Sequence, residues 1–290
     1  MHGKNRDLIH SFKNPELFLQ YVRVKTLLHI LEQYQTNLTN YDAGDYTCHP
    51  LLSFNNGINR FLNYFSINYD PILYQELLNS GIFKKGSMED GFEEKNGKGN
   101  GLYFQYNEHL HFFNLHGAYS IYSERNNGDL PFKHKQLRAD TGNNINQVCM
   151  KEFKAYSEEF DEYLKKPGKG NYPSKAPLVI MEDRHDIKKK LLEDNDYLKI
   201  GYGKLKESQK IFTFGCSFTY DEHLLDALLS CNGTRKAIAL GHYGDEEKER
   251  FKGHIKKYKA REHHHVCLIE TKGHEKLVWQ PSRYRLKKRF

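Results

Sequence analysis

The sequence predicts an α/β fold in which helices cover a mostly parallel sheet, and three observations carry that prediction. Short apolar runs of strand character alternate along the chain with stretches of helical periodicity, as they do when parallel strands are joined by crossover helices. Three of the apolar runs, ending at Ile67, Leu115 and Phe214, pass directly into polar turns, the place where open α/β sheets hold ligands. The 290 residues, 38% hydrophobic and 28% charged, suffice for one large buried core. The expected organisation is a single domain over 1–290, with a helical part over 1–60, a sheet-containing core over 61–280 and a basic tail at 281–290.

Taken in order, Asn14-Pro15-Glu16 combines a capping amide, a proline suited to a first helical turn and an acid at the positive end of the helix dipole. Leu17, Tyr21, Val24, Leu28, Leu31 and Tyr34 then recur at helical spacing, so a long amphipathic helix is expected over 15–35. Residues 37–45 read as a loop and 49–61 as a second helix. Phe61, Leu62, Tyr64, Phe65 and Ile67 form the opening strand. Pro71, with Ile72, Leu73, Leu77 and Leu78, starts a helix that Ser80-Gly81 stops. Residues 85–101 are polar and glycine-rich; they lack the spacing and terminal Lys-Ser/Thr of a phosphate loop and read as a surface loop. Strands are expected at 102–106 and 109–115, irregular chain at 123–141, and a helix at 143–166 broken by Pro167-Gly168-Lys169-Gly170. There follow a strand at 177–181, helices at 185–193 and 196–206, a strand at 210–215, a helix at 221–229, a strand at 236–241, a charged helix at 245–260 and a last strand at 266–270.

Composition narrows the function classes. No run approaches the roughly 18 apolar residues of a membrane span, and the first residues contain no apolar signal core, so a cytoplasmic protein with no membrane partner is expected. Five cysteines, Cys48, Cys149, Cys216, Cys231 and Cys267, are scattered and form no Cys-x-x-Cys pair. Lys and Arg number 44 against 37 Asp and Glu, and Arg283, Arg285, Lys287, Lys288 and Arg289 concentrate the excess at the end of the chain. Such a tail can meet a polyanion; a solvated end is the plainer reading, and nucleic acid is not expected as a partner. Sixteen histidines invite metal readings. His263-His264-His265 precedes a strand, where alternation sends neighbours to opposite faces, and no His-Glu-x-x-His occurs, so no metal is expected.

The polar turns are where chemistry is expected. Asn68, Tyr69 and Asp70 follow the first strand, an amide and a carboxylate placed to hold a sugar or nucleotide; Asp70 taken alone also reads as the cap of the helix opened by Pro71. His116 ends the Phe112–Leu115 run and precedes Gly117, which admits close approach to the backbone. It reads equally as a core histidine. The third turn is Gly215-Cys216-Ser217 with Asp221, and Asp221 reads equally as the cap of the following helix.

Together, Ser66-Ile67-Asn68-Tyr69-Asp70, Leu115-His116-Gly117 and Gly215-Cys216-Ser217 with Asp221 resemble the sirtuin-like NAD-binding family, in particular a bacterial branch of unknown function. The resemblance extends through Asp90-Gly91-Phe92, the Pro177–Glu182 strand, Asp196-Tyr197-Leu198 and Trp279, and so covers roughly residues 60 to 280. It implies a Rossmann-like three-layer α/β fold and NAD as substrate. The paired cysteines that hold zinc in deacylating sirtuins have no counterpart, which points to the NAD-cleaving branch and away from lysine deacylation. The implied activity is hydrolysis of the nicotinamide–ribose bond, as used by bacterial sirtuin-like proteins in anti-phage defence. A homo-oligomer and a defence-system partner are the protein partners it suggests.

In that scheme Asn68 and His116 are the catalytic pair, the histidine acting as general base and the amide orienting water or the nicotinamide ribose. Asp70 holds that end of the site in register, with Ser66, Tyr69 and Gly117 beside the ligand. Gly215 and Ser217 take the adenosine side, Asp221 a ribose diol, and Glu182 is a candidate of lower rank. The family's opening Gly-Asn-Gly or Gly-Ala-Gly turn, which binds the pyrophosphate, has no counterpart before Asn68. The alternative function is accordingly a non-catalytic nucleotide-sensing or protein-interaction module with the same fold.

Overall fold

The computed structural model describes residues 21–22, 24–29, 32, 63–69, 73–74, 77, 83, 90–94, 101–106, 110–124, 131–134, 145–165, 175–181, 185–230 and 233–271. The element order among them is β1 (Tyr64–Ser66), β2 (Phe92–Glu94), β3 (Gly101–Phe104), β4 (Phe112–Asn114), β5 (Gly117–Glu124), β6 (Pro131–His134), α1 (Ile145–Lys165), β7 (Lys175–Val179), α2 (His185–Asp194), α3 (Asp196–Glu207), β8 (Lys210–Thr213), α4 (Glu222–Leu229), β9 (Ala237–His242), α5 (Asp245–Lys257), α6 (Ala260–His263) and β10 (His265–Glu270). The fold is mixed, with small parallel and antiparallel sheets, and the described residues divide into two compact units. Among the described residues no helix is long and apolar enough to cross a membrane.

One unit holds the described part of 21–32 together with 68–181. Its five-stranded sheet has the order β2-β3-β6-β5-β7 and is antiparallel throughout. This departs from a mostly parallel expectation for a physical reason: six residues join β5 to β6, too few for the crossover that parallel strands need. Two local expectations are corrected with it. Residues 131–134, expected to be irregular, pair with both β3 and β5, and residues 92–94, expected to be loop, pair with β3. Both strands are three or four residues long, and cross-strand pairing rather than apolar content defines them. Opposite Pro177 the register of β5 slips, Ala118 facing Leu178 and Tyr122 facing Pro177. Proline has no N–H to give the ladder, and the bulge falls where that donor is missing.

α1 packs through Phe153, Tyr156, Ser157 and Phe160, whose three- and four-residue spacing makes one buried face. Val24 and Leu27 join Phe153 and Tyr156 in the core, with Tyr69, Val179 and Met181 against them. Lys25 fastens its helical segment to α1, donating to Ser157 at 2.8 Å and pairing with Asp161 at 2.6 Å. The Asp90-Gly91-Phe92 motif makes the turn into β2. Asp90 accepts the Phe92 N–H at 3.3 Å, and Gly91 has φ +74, where an added Cβ would lie 2.8 Å from the Phe104 ring.

The other unit holds 63–67 and the described residues from 185 onward. Its three strands, in the order β10-β9-β8, are parallel and joined by helices, as the alternation predicts. Central β9 buries Ile238, Ala239 and Leu240 in the continuous apolar run of a strand covered on both faces. α4 packs on α2 and α3, and α5 packs on β9 and β10. Asn195 caps α3, its side chain accepting the Leu198 N–H at 3.2 Å, while Tyr197 and Leu198 are buried; Asp196-Tyr197-Leu198 thus opens a helix. The expected helix over 245–260 breaks into α5 and α6 at Lys259, which has φ 47. The helix expected at 49–61, the loop at 37–45 and the tail at 281–290 lie outside the described residues, as do Asp70, Glu182 and Trp279.

Candidate functional site

In the unit containing 68–181, β4 runs into the turn Leu115-His116, and Gly117 opens β5. His116 is buried, only 3% exposed, and its carbonyl accepts the Ile180 N–H at 3.0 Å. Tyr69 donates its hydroxyl to the Ile180 carbonyl at 2.5 Å. Ile180 is the first residue past β7, so both turns are fastened to one end of that strand. The amide-bearing Asn68 is exposed beside Tyr69. The structure therefore brings Asn68-Tyr69 and His116-Gly117 to a common strand terminus.

Gly117 has a backbone reason of its own. Its φ is +72, and a Cβ added there would lie 1.9 Å from the Leu178 carbonyl oxygen. The space beside it belongs to β7, so the need for glycine comes from the sheet. Ile180, which holds both turns, carries no signal of that role in the sequence, where it is one apolar residue in the run 177–181.

In the unit containing 185–271, the turn after β8 lies at the carboxyl edge of the parallel sheet. Gly215 (φ +65) and Ser217 are exposed there, and Phe218 takes the left-handed region at φ 53 while its buried ring meets Phe251 at 5.9 Å. Gly215 adopts its positive φ freely, whereas Phe218 is held in that region at a cost. The Ser217 hydroxyl accepts from the Thr219 hydroxyl at 3.2 Å. Thr213 accepts the Gly241 N–H at 3.2 Å, tying the ends of β8 and β9 together. Ser66, at the end of β1, is buried.

Asp221 stands at the cap position of α4 without a side-chain hydrogen bond to the helix. Its carboxylate pairs with Lys188 of α2 at 2.7 Å, and the same ammonium donates to the Tyr220 carbonyl at 2.9 Å. The two side chains are only 7% and 15% exposed, so each compensates a charge that water hardly reaches. Lys188→Met should destabilise the chain by about 3–5 kcal/mol by stranding the carboxylate, and Lys188→Met with Asp221→Leu should recover most of the loss. Denaturant midpoints check this, and equal losses in the single and double variants would contradict it.

Cys216 is half-buried in this turn, its thiol donating to the Phe214 carbonyl at 3.4 Å. Burial pushes its thiol up to about 12, with Asp221 and Glu247 adding to the shift, so at neutral pH it stays protonated. Iodoacetamide at pH 8 should modify native Cys216 at least about a hundredfold more slowly than the unfolded chain, read by peptide mass. The helix starts at this edge are acidic: Glu222 opens α4, and Asp245, Glu246 and Glu247 fill the first turn of α5. Glu247 accepts the Tyr243 N–H at 2.5 Å. Such ends favour hydroxyl or cationic groups over phosphate.

No family model, no curated protein and no solved structure matches the chain. The functional reading therefore rests on the three turns and on their geometry.

His263, His264 and His265 are divided between α6, its cap and β10. The Lys236 N–H donates to His264 Nδ1 at 3.3 Å, which leaves Nε2 to donate to the Ser230 carbonyl at 3.3 Å. His264 is thus a core histidine with both nitrogens engaged. Lys236 is buried as well; its ammonium reaches the Ala227 carbonyl at 2.7 Å near the end of α4, and burial lowers its pKa.

Proposed function

We propose that the chain is a sirtuin-like NAD glycohydrolase, cytoplasmic and Rossmann-like in fold. The observation that supports it best is the shared anchorage of the Asn68-Tyr69 and His116-Gly117 turns on Ile180. Asn68 orients the attacking water, and His116 accepts its proton as the water oxygen bonds to C1′ of the ribose. The C1′–N bond breaks with its electron pair going to nicotinamide, and the products are nicotinamide and ADP-ribose. The departing group leaves an oxocarbenium-like ribose, which nearby carboxylate and amide dipoles stabilise. Asp70 keeps that end in register with Ser66, Tyr69 and Gly117. The resemblance assigns Gly215, Ser217 and Asp221 to the adenosine side.

The test is chromatographic: purified chain incubated with NAD should release nicotinamide and ADP-ribose in equal amounts. A second reading, a nucleotide-sensing or protein-interaction module without turnover, is favoured by the acidic starts of α4 and α5, which offer no grip for pyrophosphate. NAD or ADP-ribose bound in calorimetry, with no nicotinamide released, would select it.

A further inference from the structure

The parallel topology gathers three stretches, 204–210, 233–236 and 256–265, at the amino edge of the β8–β9–β10 sheet, because each helix runs back there before the next strand begins. Lys210 and His265 both stand in register with Ala237, one on either side, and strands about 4.8 Å apart set them about 10 Å from each other. Arg235 lies two residues before Ala237 and close enough to His265 to help lower its pKa, after the larger effect of burial.

The charge at this edge is lopsided. Apart from buried Lys236, these stretches hold eight Lys and Arg against two acids, Glu207 and Glu262. Lys204 lies 3.7 Å from Glu207, and Lys257 pairs with Glu222. Lys210, Arg235, Lys256, Lys259 and Arg261 are exposed and in no ion pair among the described residues. Basic residues are expected near helix ends, but three such ends offset only about 1.5 charges. The surplus of six at this edge is several times larger.

The surroundings select the kind of polyanion. The exposed large hydrophobic residues of the described chain are Val22, Tyr106, Ile187, Leu191, Tyr220 and Tyr243, and none lies in these stretches. Among the described residues the edge therefore has no apolar wedge to enter a lipid surface and no exposed Phe, Tyr or Trp on which single-stranded bases could stack. A broad spread of point charges without either suits the regular phosphates of a duplex. We propose that the amino edge of this parallel sheet docks the backbone of duplex nucleic acid without reading its sequence.

The experiment uses the full chain and a fluorescein-labelled DNA duplex of about 20 base pairs, followed by anisotropy across a salt series. Expected is a micromolar Kd whose logarithm changes with log salt at a slope near 5, as for about six phosphates neutralised. Arg235→Glu/Lys259→Glu/Arg261→Glu should weaken binding at least about tenfold and cut the slope by about three. Lys190→Glu/Lys199→Glu/Lys252→Glu, the same change in net charge on exposed residues elsewhere, should leave most of the binding. Binding that ignores salt, equal losses in the two triple variants, an edge variant that binds like wild type, or capture by phosphatidylserine vesicles without capture of duplex would each overturn the proposal. The basic C-terminal residues are present in every protein compared, so the difference between variants reports on the edge alone.

Discussion

His116→Ala is expected to lower the rate of nicotinamide release from NAD by about 10²–10⁴-fold, the usual contribution of a general base. The backbone link from Ile180 N–H to the His116 carbonyl survives the substitution, so the turn keeps its anchor. The imidazole is buried, however, and its removal will also cost stability. Asn68→Ala separates the two effects. Asn68 is exposed, so its truncation should move the thermal midpoint little while misplacing the water, and a fall in rate of about a hundredfold is expected. Undiminished turnover in either variant would remove that residue from the chemistry. If both variants matched wild type, the base would have to be sought elsewhere.

Gly117→Ala should be among the most damaging single substitutions in the chain. Alanine at φ +72 costs about 1–2 kcal/mol by itself. The new methyl would lie 1.9 Å from the Leu178 oxygen, a separation no packed structure tolerates, so β5 and β7 must part. Parting them strains the Gly117–Val179 pairing and the neighbouring hydrogen bond from Ile180 to His116. A loss of about 4 kcal/mol and a fall in Tm of roughly 10 °C are expected. Calorimetry checks this directly. A midpoint within about 1 kcal/mol of wild type, with NAD affinity nonetheless reduced, would return the glycine to a ligand-facing role.

The sequence made the parallel half of the fold legible almost to the residue, because buried parallel strands such as β9 are continuous apolar runs that alternate with helix-length stretches. The antiparallel half was legible only in part. β2 and β6 are too short for periodicity to register, and their partners are set by chain reversals that composition does not encode. The three polar turns were visible because each interrupts an apolar run. What fixes them was not: the tie of Tyr69 and His116 to Ile180, and the pairing of Asp221 with a lysine 33 residues earlier, are long-range facts. Asp221 shows the limit well, since its position does match the helix cap while its carboxylate is used on another helix.

The antiparallel sheet ends on one side in β7, interrupted by Pro177, and on the other in β2, three residues long with Glu93 and Glu94. A border strand lying beside a bulge and a border that is brief and negatively charged are both poor templates for a strand from another molecule. At high concentration these two borders should resist edge-to-edge growth into fibrils, so self-assembly through this sheet would have to proceed through its side-chain surfaces.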